Sequence, residues 1–154
     1  MNREILFRGK KPVEYYNMID NSGGKWVEGY LIALHDGQSP AIQSEIKIVP
    51  DYVGARIDSK IFCVIPETVS QFTGLYDKNG ARIWENDIVR FTCTPSWLYQ
   101  VIWDKESAMF GLKCVKSPSL YNKEACGTNF YDIDSRDVEI IGNVFDNSDL
   151  LKGE

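Results

Sequence analysis

The sequence predicts a mainly β protein of short antiparallel strands, with a small, partly open barrel in its C-terminal half and little helix. Three observations carry this. Apolar and polar residues alternate over short stretches rich in β-formers, as in REILFRGK at 3–10 and KWVEGYLIAL at 25–34. Turn residues separate such stretches at short intervals from Ser70 to Phe145, which is the rhythm of a small barrel. The best helix candidates are too short to organise a fold.

In chain order, Ile5 and Phe7 mark the first strand, and Trp26, Val27, Tyr30, Ile32 and Leu34 a second. Asn21-Ser22-Gly23-Gly24 between them is a turn or loop, and His35-Asp36-Gly37-Gln38-Ser39-Pro40 is the next break. SEIKIVPDY alternates Ile46 and Ile48 as far as Pro50. In SKIFCVIPE the unbroken apolar run from Ile61 to Ile65 predicts a strand buried on both faces or lying between two sheets.

SQFTGLYDKNGARIWENDIVRF, at 70–91, is the most locally consistent stretch. Asn79-Gly80 can take positive φ at two successive positions, so Asp77-Lys78-Asn79-Gly80 predicts a tight two-residue hairpin between QFTGLY and ARIW. Asn86 can occupy the left-handed region and Asp87 can accept backbone hydrogen bonds, which turns the chain into a strand at 88–92. LYQVIWD, MFGLKCV and VEIIGNVF follow as further strands. The two helix candidates are 117–125, with Ser117 as N-cap before Pro118, and DNSDLLKG near the end, capped by Asn147 or Ser148 and stopped by Gly153. A boundary, if the chain is not one compact unit, falls at Ile65-Pro66-Glu67. It separates an N-terminal β region (1–65) from the barrel (66–147) and an acidic tail (148–154).

Composition restricts function. A chain of 154 residues, 44% apolar, is large enough to fold around a core, and neither an export signal nor a membrane span is expected, since the longest apolar run is Ile61 to Ile65. Cys63, Cys93, Cys114 and Cys126 form no C-x-x-C pair and have no neighbouring histidine, so four reduced, mostly buried thiols in a cytosol are expected. The net charge is −5, and residues 132–154 hold seven acids against Arg136 and Lys152. Arg3, Arg8, Lys10 and Lys11 near the start are too few to make the basic face that phosphate contacts require, which argues against nucleic acid as partner.

Candidate sites are few. Asp77, Glu85 and Asp87 could form a carboxylate cluster for metal or acid–base work, but turn chemistry explains both aspartates and solvation explains Glu85. His35, the lone histidine, sits in a turn, and no four-ligand zinc spacing, P-loop or dinucleotide fingerprint is present. No catalytic residue, metal or cofactor is therefore assigned. Of the aromatics crowding the C-terminal half, most fall at alternating positions and read as core. Trp97, beside Pro95 in TPSWLY, with Tyr99, is the candidate interaction surface.

The strings REILFRG, TGLYDKNGARIWENDIV, WDKESAMFGL and IGNVFDN, in that order, resemble the YopX family of phage and prophage proteins over nearly the whole chain. Asn86 stands where the family usually has glycine, and both tolerate the left-handed conformation. The resemblance implies an SH3-like barrel in the motif-bearing half and an origin in a mobile element, with no settled activity. Three readings follow: a non-enzymatic accessory protein acting through phage or host proteins or as a homo-oligomer, a nucleic-acid-binding barrel, and a carboxylate-based metal enzyme. In the first, Asp77, Asn79, Gly80, Glu85, Asn86 and Asp87 serve the fold.

Overall fold

A computed structural model describes residues 4–13, 23–32, 40–51, 54–117, 128–129, 134 and 137–151. The protein is mostly β, with two antiparallel sheets, and it divides into two compact units, 1–71 and 72–154.

The first unit holds β1 (Phe7–Lys10), β2 (Trp26–Ile32), β3 (Ala41–Asp51), β4 (Gly54–Cys63) and the start of β5 (Ser70–Tyr76), in the antiparallel order β4-β3-β2-β1-β5. Period-two alternation puts Ile42 and Phe62 in one cross-strand row and Val27 on the same face. With Val64 they form a buried core flanked by Phe7 and Val69. Burying each such side chain contributes about 1.5–3 kcal/mol. After β4, a short 3₁₀ turn at Pro66–Thr68 is tied to β1, whose Lys10 N–H donates to Thr68 Oγ1 at 2.9 Å while Ile65 N–H donates to the Lys10 carbonyl at 2.9 Å.

Two expectations change here. Pro50 does not end its strand: β3 runs on to Asp51, with Pro50 opposite Ala55. β2 pairs with β3 only over Ala41–Gln43, so near Pro50 one edge of β3 carries no ladder among the described residues, and a missing N–H is tolerated. The apolar run from Ile61 is also not buried on both faces. β4 lies at the edge of its sheet, Phe62 enters the core, and Ile61 and Cys63 point the other way and are exposed.

In the second unit the rest of β5 pairs with β6 (Arg82–Trp84). A five-stranded sheet follows, in the order β10 (Thr128–Asn129), β9 (Met109–Lys116), β8 (Thr94–Asp104), β7 (Asp87–Phe91), β11 (Val138–Asn143). One core unites the two pieces: Ile83 of β6 is buried with Val89, Tyr99, Val101, Phe110, Leu112, Cys114 and Val138, and Leu75 of β5 packs against them. A hairpin folded over a five-stranded sheet around a shared core is the small barrel-like arrangement expected of this half. The C-terminal helix is a 3₁₀ turn at Ser148–Leu151, and residues 118–125 of the other helix candidate lie outside the described residues. Among the described residues no helix is long and apolar enough to cross a membrane.

Candidate functional site

The motif at 70–91 builds two turns. In the first, Gly80 N–H donates to the Asp77 carbonyl at 2.9 Å and Asp77 N–H donates to the Ala81 carbonyl at 2.8 Å. Only Gly80 has positive φ (80°); Lys78 and Asn79 do not. This is a type I turn closed by a left-handed glycine, not the two-residue turn with two positive φ values that Asn-Gly predicts. The cause is the Asp77 side chain. Its Oδ1 accepts Asn79 N–H at 2.8 Å and Ala81 N–H at 2.9 Å, and such bonding from position i favours type I.

Oδ2 of Asp77 accepts the Asn79 side-chain amide at 3.2 Å and Ile140 N–H of β11 at 3.3 Å. A carboxylate offers about four acceptor positions, so Asp77 is fully engaged. Burial alone pushes this carboxyl up. The hydrogen bonds from Ala81, Asn79 and Ile140 outweigh it and hold the group below its ordinary value. An acid held ionised with every acceptor position filled is poorly placed to take a proton or bind a metal.

In the second turn, Asn86 has φ 68° between β6 and β7, the type II pattern for Trp84-Glu85-Asn86-Asp87. Its N–H donates to the Val101 carbonyl at 2.8 Å, its carbonyl accepts Val144 N–H at 3.0 Å, and its side-chain oxygen accepts the Gln100 amide at 3.0 Å. The corner is thereby tied to β8 and to the end of β11. Asp87 is buried, and its Oδ2 accepts Trp84 N–H at 2.8 Å. Glu85 is half-buried. Thus each of the two aspartates is engaged by its own turn, and among the described residues no group of three or more His, Cys, Asp or Glu could hold a metal ion. His35 and Cys126 lie outside the described residues.

The other motif strings have structural work of the same kind. Asn143 Oδ1 accepts Phe145 N–H at 3.0 Å and Asp146 N–H at 2.9 Å, while Asn143 N–H donates to Asn147 Oδ1 at 3.2 Å. A Cβ at Gly142 would meet the Asn147 side chain, which would then have to leave its place beside the Asn143 N–H. Asp104 accepts Glu106 N–H at 3.0 Å, and the Ser107 side chain and that amide hold its carboxyl below the ordinary value. Glu139 bridges Arg90 Nη2 at 2.8 Å and Lys78 Nζ at 3.1 Å. The hydrogen bonds from Arg90 first and Lys78 second lower its carboxyl.

Of the candidate interaction pair, Tyr99 is 6% exposed and belongs to the core, with its ring edge against Phe91. Trp97, two positions along the same strand face, is half-buried and stacked over Tyr99 at 6.3 Å, so of the two only Trp97 has appreciable ring area to offer. Sequence reasoning passed over the apolar groups that stand furthest into solvent on the strands of the first unit. These are Tyr30 (46% exposed) and Ile61 (55%), in one cross-strand row with Gln43 between them. The signal was present in the alternation, since Ile61 cannot share a face with Phe62. The thiols also differ from expectation: Cys63 and Cys93 are exposed and only Cys114 of the described three is buried.

A β protein of two antiparallel sheets, whose motif residues close turns and tie strands together, is the class this geometry defines. The chain belongs to the YopX family: the pattern described as YopX protein matches residues 14–152. Among curated proteins nothing matches. Among solved structures, the crystal structure of protein EF1440 from Enterococcus faecalis is similar, with TM-score 0.56 and 19% identity over 98% of this chain and 100% of that one. That likeness is one of fold.

Proposed function

We propose that this protein is a phage- or prophage-encoded accessory protein that acts without catalysis, by contacting phage or host proteins in the bacterial cytoplasm. The observation that carries this reading is the full engagement of Asp77, whose four accepted hydrogen bonds leave the motif's most connected acid committed to the fold. Membership of the YopX family supports the mobile-element origin. Exposed apolar side chains at Tyr30 and Ile61, with the remaining ring area of Trp97, are surfaces a protein partner could cover.

The test is affinity purification of the tagged full chain from cells after prophage induction, with cross-linking before lysis. Reproducible recovery of one phage or host protein, or a stable assembly of the chain with itself, is expected. A strict monomer that retains no protein, yet binds single- or double-stranded DNA with an affinity that falls steeply with salt, would move the assignment to nucleic-acid binding.

A further inference from the structure

We propose that two copies of this chain join along the outer edge of β4, by antiparallel β4–β4 pairing about a two-fold axis at Ser59. This deepens the protein-contact reading by naming a partner, a second copy, and can fail while that reading stands.

Four observations on the first unit carry the pairing. Among the described strands β4 is terminal in its sheet, with β3 as its one neighbour. It spans Gly54–Cys63, 10 residues, about twice the usual strand length, and contains no proline. The irregularity in the β3–β4 ladder falls where β3 passes from Ser44 to Lys47 while β4 passes only from Lys60 to Asp58. The extra residue is therefore on β3, and the outer edge of β4 is not interrupted. Finally, Ile61 stands 55% exposed on this edge strand, an exposure that proteins ordinarily avoid there.

The charge pattern then selects the partner and the register. Arg56, Asp58 and Lys60 alternate in sign at every second position. In a two-fold antiparallel pair the axis passes through a residue facing its own copy. An axis at Arg56, Asp58 or Lys60 places like charge directly on like charge, which is unfavourable. An axis at Ile57 or Ser59 places Asp58 opposite Arg56 or Lys60. Of these, the axis at Ser59 brings residues 55–63 of each copy into the ladder and sets Ile57 opposite Ile61. The axis at Ile57 stops the ladder at Lys60. With Ser59 at the centre, the row Tyr30, Gln43, Ile61 continues into the second copy. The strand is thus complementary to itself in one register and repelled in those one residue to either side.

The experiment has two arms. Analytical ultracentrifugation of the full chain should give twice the monomer mass, and Ile61→Asp should return it to the monomer mass with the cooperative unfolding transition kept. Independently, with Cys63, Cys93 and Cys126 changed to serine, Ser59→Cys should form an interchain disulfide under mild oxidation, because directly opposed Cβ atoms lie about 4.5–5.5 Å apart. Lys60→Cys should not, since Lys60 faces Asp58 and not itself. A monomer at every concentration tested, a dimer unaffected by Ile61→Asp, or Lys60→Cys cross-linking in preference to Ser59→Cys would each overturn the pairing. A monomer that still retains a phage or host protein would overturn it and leave the broader reading in place.

Discussion

The carboxylate of Asp77 accepts the backbone N–H of Ile140 at 3.3 Å, across 63 residues of chain. With the three donors of its own turn, this contact keeps Asp77 ionised despite burial. A carboxyl whose folded pKa is depressed contributes stability that is fully present above the ordinary aspartate value of about 3.9 and is lost as pH falls through the lower folded value. Asp77→Asn should therefore cost about 1–2 kcal/mol at pH 7, where an amide N–H₂ must face backbone donors. The gap to wild type should narrow below about pH 4. Urea unfolding at pH 7 and pH 3 measures both, and a gap that stays constant would assign the loss to packing alone.

Gly80 tests the turn type. At φ 80°, with nothing within 4 Å of where a Cβ would stand, the whole penalty of a larger residue is conformational. Gly80→Val should destabilise by about 1–3 kcal/mol and Gly80→Asn by clearly less, because asparagine tolerates the left-handed region. Equal tolerance of the two would contradict the type I turn with its left-handed glycine.

Gly142 is constrained by contact. A Cβ there would run into the Asn147 side chain, whereas at Gly111 it would lie 4.0 Å from Ile102 Cγ1, an ordinary separation. Gly142→Ala should cost about 1–3 kcal/mol, and Gly111→Ala should stay within about 0.5 kcal/mol of wild type. A double-mutant cycle with Asn147→Ala should show coupling, as the second change removes the atoms the first collides with.

Thiol reactivity reports on β4 and the core separately. With Cys126 changed to serine, Cys63 and Cys93 should react with an aromatic disulfide reagent in the native state. Cys114, 4% exposed, should react only as the protein unfolds. Mass spectrometry of the labelled chain decides it, and protection of Cys63 would bring back a β4 covered on both faces.

Much of this fold is written in local pattern. Alternation placed β1, β2 and β7 through β9, and Asn86 was readable as a left-handed corner because few residue types accept φ 68°. The turn at 77–80 was legible as a turn but not as its type. Asn-Gly permits positive φ at both residues, and only the bonds to the Asp77 side chain decide against it. The apolar run from Ile61 was misread for a related reason: a run of apolar residues does not say which sheet neighbours are present. Ala108, at φ 50° in the β8–β9 connection, gave no sign at all, since alanine carries no signal for that conformation. Among candidate site residues, the side chains of Asp77 and Asp87 each accept backbone donors of their own turn, a local role, whereas the burial of Tyr99 depends on a core assembled from both pieces of the second unit.

The reach of Asp77 to Ile140, repeated by Lys78 N–H donating to the Val138 carbonyl at 2.8 Å, bears on how the chain is made. A ribosome releases the hairpin at 70–84 well before it releases β11, and until then Asp77 lacks one of its donors and the core lacks Val138. Closure of this unit is thus deferred until β11 has been made. Contacts of such sequence separation form slowly, and the exposed strands of the incomplete chain are open to other partners while they wait.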